Sequence, residues 1–296
     1  MIIAAFLVSI THVIRKRILV KEHALDYLTV FSIAAAVIAL LLIGFVDLNI
    51  SFGIFILIYF VSLLGAVAFI FFMKALRHGE ISSVQPLLSF TPAIVLVLSY
   101  FLISERVSMF NGLGVLLVLL GGFLIEHRVK TKTREGKKVR GGVIDPKEEG
   151  VLPRKYFIYA MIAVLISAFG AILDKILLDF VDFTSLAILS LIFFALNILL
   201  LRFILLKRKN WWSFLKTFRD YGVVISGLSL LKVLSVFLYL LALSLPDSKV
   251  SLVVAIMASS TLVSTIVGGE LFHDHGLMQK IIAAVIMFLG VLMIVT

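Results

Sequence analysis

The chain has 296 residues, of which 62% are hydrophobic and 15% charged, and its mean hydropathy is +1.18. A soluble fold cannot keep so much apolar surface from water, so lipid is the expected solvent, and long apolar runs in lipid predict helices rather than barrel strands. The lack of cysteine excludes disulfides and thiolate chemistry. The net charge of +10 does not indicate nucleic-acid binding, because the basic residues lie in loops between apolar segments.

Charge and turn clusters divide the chain into ten apolar segments, each near the roughly 20 residues that a bilayer core requires. The first segment lacks a basic leader and is not expected to be a cleaved signal peptide. Its cations Arg15, Lys16 and Arg17 are expected at an interface, and the segment 210–214, with its two tryptophans, is predicted to be an interfacial anchor. The ten predicted spans are 2–20, 24–46, 52–76, 82–103, 108–126, 155–178, 183–206, 221–244, 248–271 and 276–295.

The two halves of the chain resemble each other. Leu7-Val8-Ser9 matches Leu165-Ile166-Ser167 at an offset of 158, and further matches pair Ala75 with Ala242, Glu105 with Glu270, and Gly122 with Gly290. Five spans per unit is an odd number, so the second unit must enter the membrane in the inverted orientation. We therefore predict an all-α integral membrane protein of ten transmembrane helices in two inverted five-helix repeats, residues 1–126 and 155–296, joined by a polar basic linker, residues 127–154.

The loop charges predict an orientation. Of the 27 Lys and Arg residues, 23 lie on the side of the membrane that holds the linker and three on the opposite side. By the positive-inside rule the linker is cytoplasmic and both termini are outside.

Two stretches, one in each half of the chain, carry a family resemblance. The segment 75–92, ALRHGEISSVQPLLSFTP, is followed by Glu105-Arg106 and a glycine pattern from Gly112 to Gly122. This arrangement resembles the EamA domain of the drug/metabolite transporter superfamily, and 242–290 looks like a second copy, with Met257-Ala258 in place of Thr91-Pro92. The resemblance implies a ten-helix inverted-repeat carrier or exporter of small metabolites with a central cavity. It also implies cytoplasmic termini, which differs from the charge-based orientation.

Lys232 lies near the middle of span eight with apolar sequence on both sides. An ammonium at that depth costs about 2.5 to 3.5 kcal/mol, so it should face the bundle interior or a wet cavity. Ser229, Ser235 and Tyr239 share its helix face and complete a candidate substrate-binding wall. Lys232 either binds an anionic group of the substrate or pairs with an internal carbonyl or acid, and the sequence leaves both open.

Spans four and one supply further candidates for substrate binding. Gln85, Ser89 and Pro92 lie in span four, where Pro86 and Pro92 free backbone carbonyls and predict a broken or kinked helix. Ser9 and His12 share a face of span one, where the imidazole could bind substrate, relay protons or simply pack. The serines and threonines of span nine are expected mainly to allow close packing.

Acidic residues in the spans could couple transport to protons. The candidates are Glu270 and Asp174. Glu270 and Glu105 lie at matched helix ends, so the alternative for both is a structural role as a helix cap or as half of a gate pair. His273 and His275 have no helical metal-site spacing, and neither a metal nor a cofactor is expected.

The predicted function is a multi-pass transporter of the cell (plasma) membrane rather than an enzyme. It moves a small molecule, anionic or zwitterionic in charge, by alternating access. The alternatives are an intramembrane enzyme acting on lipid or prenyl substrates, for which the sequence lacks acidic clusters and nucleophile motifs, and a flippase of lipid-linked substrates.

Overall fold

A computed structural model describes residues 2–47, 49–105, 108–136, 153–206, 208–246, 248–274 and 276–295. The regular elements in these ranges are helical, as the composition predicts, and short 3₁₀ turns lie at Ile43–Phe45, Gln85–Ser89 and Arg208–Ser213. The α-helices are α1 (Ile2–Leu19), α2 (Ala24–Leu41), α3 (Phe52–His78), α4 (Ile81–Val84), α5 (Phe90–Leu102), α6 (Met109–Gly136), α7 (Arg154–Leu177), α8 (Phe183–Leu205), α9 (Phe214–Ser244), α10 (Val250–Ala258), α11 (Ser260–Leu271) and α12 (Leu277–Val295).

Eight helical segments in the described part of the chain are long and apolar enough to cross a membrane. Two of them are composite, since α4 with α5 and α10 with α11 each form one span. The remaining two predicted spans fall short of this standard. α1 carries three cations in its last turns, and the apolar part of α6 is the shorter stretch Met109–Gly121. The chain is thus an all-α membrane protein.

The predicted start of span eight at residue 221 is wrong. α9 begins at Phe214, because Lys216, Arg219 and Asp220 continue the helix instead of forming a loop. Ahead of it, the indole of Trp212 is 66% exposed on the surface of the bundle.

Two of the membrane segments are broken near their middle. The break that the prolines predict in span four is confirmed, because the 3₁₀ turn Gln85–Ser89 separates α4 from α5. Span nine is broken as well, at Ser259 between α10 and α11, without a proline to signal it. α5 packs along α10, and α4 along α11, so the two broken segments run antiparallel side by side.

The antiparallel order gives the bundle two ends. We call the end where α1, α3 and α11 finish and α4 begins the linker end, since α6 ends and α7 begins there. The opposite end, where α5, α7 and α9 finish and α10 begins, is the terminal end. The other large contacts also join the two halves of the chain, α3 with α7 and α2 with α8 and α9.

α6 and α12 cross at glycines with their backbones in near contact. A Cβ added at Gly290 would lie 2.6 Å from the carbonyl oxygen of Gly114 and 2.8 Å from the amide nitrogen of Val118. Both are backbone atoms that cannot rotate away. The absence of a side chain at Gly290 therefore sets the separation of these helices.

Gly290→Ala is expected to destabilise the protein by about 1 to 3 kcal/mol, because the added methyl group forces the helices apart. Gly112→Ala on α6 is the matched control, since no atom lies within 4 Å of a Cβ there. It should leave stability unchanged or raise it by up to about 1 kcal/mol. Thermal unfolding in detergent measures both, and equal melting temperatures for the two variants would contradict the close crossing.

Candidate functional site

At the linker end, an acid from the end of one broken segment caps the start of the other. The carboxylate of Asp274, just after α11, accepts hydrogen bonds from the backbone N–H of Ser82 at 2.9 Å and from its hydroxyl at 2.5 Å. Glu80 forms an ion pair with Lys280 of α12 beside this contact. Burial raises the pKa of the Asp274 carboxyl, although the bonds from Ser82 act to lower it. The contact closes the linker end between α4 and α11.

The terminal end carries the same arrangement with the partners exchanged. Glu105, just after α5, accepts hydrogen bonds from the backbone N–H of Val250 at 2.7 Å and from the hydroxyl of Ser251 at 2.9 Å, in the first turn of α10. Each broken segment thus supplies an acid that accepts from one backbone N–H and one serine hydroxyl at the start of the other. We call the Asp274–Ser82 and Glu105–Ser251 contacts the reciprocal caps.

Two lysines extend this correspondence. Lys16 of α1 donates to the carbonyl oxygens of Leu76 and Gly79, both at 2.6 Å, at the end of α3. Lys175 of α7 donates to the carbonyl oxygen of Leu243 at 2.8 Å, at the end of α9. The Lys16 ammonium donates to these carbonyls at the linker end, where α1 and α3 finish, rather than extending outward, and the residue is only 7% exposed.

Between the two ends, Lys232 faces groups from two other helices, α1 and α7. It interacts electrostatically with Asp174 of α7 and with Arg15 and His12 of α1. Tyr239, two turns further along α9, interacts electrostatically with the Asp174 carboxylate. Asp174, Lys232 and Tyr239 are each partly buried. The structure therefore brings Asp174 to Lys232 and Tyr239, which the sequence already placed on one helix face.

Arg15 belongs to this group, although the sequence placed it at an interface. It is 3% exposed, and its guanidinium carbon lies 5.0 Å from the ring centroid of Phe69 and 5.4 Å from that of Phe31. Nε donates to the hydroxyl of Tyr27 at 3.1 Å, and Nη1 lies 3.4 Å from Nδ1 of His12. The expectation fails because aromatic faces and a phenol replace the headgroup environment.

The breaks of the two broken segments touch. The Ser89 and Thr261 hydroxyls lie 2.9 Å apart, and Thr261 donates its own proton to the carbonyl of Ala258 at 2.7 Å, so Ser89 is the donor. In the same 3₁₀ turn, the side-chain amide of Gln85 is fully buried, and neither its oxygen nor its nitrogen has a hydrogen-bond partner in the part of the chain that the structure describes. A buried amide without partners is costly, so it is a group to which a ligand could bind.

The other predicted residues have packing contacts or lie apart. The Ser229 hydroxyl lies 2.9 Å from the carbonyl oxygens of both Phe31 and Ile225, and Ser235 donates to Leu231 of its own helix. Ser9 and Pro92 are buried. Glu270 is exposed at the linker end, away from the group around Lys232.

The loop after α11 offers no metal cluster in the described residues. His273 adopts a positive φ of 52°, and His275 lies outside the described residues. No group of three or more His, Asp or Glu side chains suited to a metal ion occurs in the part of the chain that the structure describes.

Two residues of this site were missed from the sequence. Arg15 was grouped with its neighbours Lys16 and Arg17, although only Arg17 of the three is exposed. Asp274 was overlooked because Glu270 matches Glu105 in the repeat alignment, whereas the structure gives the cap to the acid four residues later. The serine in the first turn of both α4 and α10 was the available signal for the caps.

Comparison with known proteins agrees with the fold. Residues 1–126 match the model of the EamA-like transporter family, which confirms the resemblance over that part of the chain. A solved structure described only as "Crystal structure of protein" matches with a TM-score of 0.59 and 14% identity, covering 98% of this chain and 95% of its own. At that identity the match shows the fold alone. No curated protein matches the sequence.

Proposed function

We propose that the chain is an alternating-access carrier of a small metabolite in the cell membrane, because residues 1–126 match the model of the EamA-like transporter family. The observation that carries the mechanism is the pair of reciprocal caps, one at each end of the bundle. A carrier needs two closures that open in turn, whereas an intramembrane enzyme has no need of a matched pair. The caps therefore favour transport over the enzyme alternative.

We further propose that the fold is an inverted repeat of five plus five spans. α1 and α6 are the first and fifth spans, since α1 packs against α9, α10 and α11 and α6 against α12. In the second cap the two broken segments exchange the roles that they have in the first. Lys16 and Lys175 likewise bind the ends of α3 and α9, one in each half. These correspondences support a two-fold relation between the halves. Loop charge favours a cytoplasmic linker, and the family favours cytoplasmic termini.

In the proposed cycle, substrate binds between the two caps, at the group formed by Lys232, Asp174 and Tyr239. Ser89 and Gln85 lie at the breaks, where half-helix ends and freed backbone groups can reach a ligand. Opening one end separates an acid from the serine that it caps, while the other cap stays closed. Proton coupling through Asp174 remains part of the proposal.

Loss of one cap should open only its own end. In the cysteine-free chain, a thiol introduced at buried Ser83 reports the linker end, and one at buried Val253 reports the terminal end. A charge-assisted hydrogen bond contributes about 1.5 to 3 kcal/mol. Asp274→Ala should therefore raise maleimide labelling at position 83 by about tenfold or more and leave position 253 unchanged.

Glu105→Ala is the matched variant and should give the opposite pattern, with faster labelling at position 253 alone. Glu270→Ala is the control, because its exposed carboxylate has no partner among the described residues. Equal labelling of both positions in both cap variants would show that the caps are structural and do not gate.

A further inference from the structure

The guanidinium of Arg15 has hydrogen-bonding capacity that the protein does not use. Within the described residues its bonds involve Nε, to Tyr27, and one N–H of Nη1, to His12. A guanidinium has five N–H groups, so one on Nη1 and both on Nη2 remain without partners. No acid among the described residues lies in contact with the guanidinium.

These N–H groups lie inside the bundle, since Arg15 as a whole is only 3% exposed. A ligand that accepts hydrogen bonds from them must therefore bind within the bundle. The guanidinium packs against the aromatic rings of Phe31 and Phe69, and this packing restricts its orientation. The edge that carries the unused N–H groups therefore points in one direction.

Lys232 faces the same region. Ser229, one turn earlier on α9, contacts the carbonyl oxygen of Phe31, the residue whose ring lies under the Arg15 guanidinium. α9 also packs directly against α1. Lys232 itself has no hydrogen bond or contact ion pair in the described structure, and its electrostatic partners are Arg15, Asp174 and His12. Two cations without contacting acids thus stand within electrostatic range of each other.

We propose that Arg15 and Lys232 together form the anion subsite of the transported metabolite, and that this metabolite carries a carboxylate. The proposal rests on the proposed transport function. The outer N–H groups of Nη1 and Nη2 present the parallel pair that a carboxylate accepts bidentately, and Lys232 supplies a point charge to the same group. Asp174 offsets one of the two cations, so a bound group with one negative charge leaves the site neutral.

The test measures binding of compounds that share a skeleton and differ in charge. Phenylacetate, phenylacetamide, phenylalanine and phenylsuccinate carry net charges of −1, 0, 0 and −2, and butyrate with butyramide repeats the comparison on a smaller body. Each is titrated against purified wild type, Arg15→Gln, Arg15→Lys and Arg17→Gln, with thermal stabilisation as the readout. Arg17 is the matched control, because it is an exposed cation on the same helix.

The monocarboxylates should stabilise the wild type at concentrations at least tenfold below those of the amides. Arg15→Gln should weaken carboxylate binding about tenfold or more. Arg15→Lys should weaken it less, because the charge remains although the paired N–H groups of the guanidinium are lost. Arg17→Gln should bind like the wild type. Arg15→Lys keeps the test decisive where Arg15→Gln does not fold.

The proposed anion subsite is refuted if amides and carboxylates bind with equal affinity. It is also refuted if the folded Arg15 variants bind carboxylates as tightly as the wild type does. Tighter binding of phenylsuccinate or phenylalanine than of phenylacetate overturns the assignment of a single net charge. Transport is measured separately, as exchange of labelled compound in proteoliposomes. Carboxylate binding that depends on Arg15 without any exchange would leave the subsite standing and refute the carrier function instead.

Discussion

Lys232→Met is expected to remove anion binding while the protein stays folded. A hydrogen bond to a charged group contributes about 1.5 to 3 kcal/mol, so carboxylates that stabilise the wild type should bind about tenfold or more weakly to the variant. Methionine has a similar length and no charge, and no contact ion pair of Lys232 is lost in the described structure. Thermal shift titration measures both the affinity and the melting temperature.

The matched control is Lys216→Met, which removes an exposed cation from the same helix and should leave binding unchanged. If Lys232 is instead a structural partner of Asp174, the variant would melt well below the wild type and its residual folded fraction would bind carboxylates normally. That outcome would place the binding site elsewhere, with the unpaired amide of Gln85 as the next candidate.

Arg202→Leu is expected to lower the free energy of unfolding by about 3 to 5 kcal/mol. Arg202 is fully buried and forms an ion pair with Asp26 at 2.9 Å. It also donates to the carbonyl oxygen of Trp211 at 2.8 Å, and so ties α2, α8 and the turn before α9 together. Removing the guanidinium leaves the carboxylate of Asp26 buried with only the hydroxyl of Ser213 at 2.6 Å.

Arg219→Leu is the control for this prediction. Arg219 pairs with Asp220 at 3.2 Å, but its side chain is 78% exposed, and such pairs contribute no more than about 1 kcal/mol. Adding Asp26→Asn to Arg202→Leu should recover part of the lost stability, because the unpaired charge is then gone. Equal melting temperatures for the Arg202 and Arg219 variants would contradict the structural role of the buried pair.

The helices and the first broken segment could be predicted from the sequence, because they depend on local chemistry. Apolar runs of membrane length predict helices, and Pro86 predicts a break in its helix regardless of the helices against which that segment packs. The break at Ser259 could not be predicted, since no residue there lacks an N–H or favours a turn strongly. It depends on contact with the other broken segment, as the Ser89–Thr261 hydrogen bond indicates.

The candidate site was predicted in part. Lys232 stood out because a cation in an apolar run is costly in lipid, and this argument holds without any knowledge of its neighbours. Arg15 lies near a helix end, where sequence cannot distinguish a cation that extends to the headgroups from one that turns inward. Only the packing of α2 and α3 around it, through Phe31 and Phe69, decides between the two.

The measurement that tests the account most directly is the distance across each end of the bundle in lipid nanodiscs. In the cysteine-free chain, spin labels at exposed His78 and Glu270 span the linker end, and labels at exposed Leu102 and Lys249 span the terminal end. Alternating access predicts two distances for each pair, with a carboxylate ligand shifting the two ends in opposite directions. One fixed distance at both ends, or a simultaneous opening of both, would contradict it.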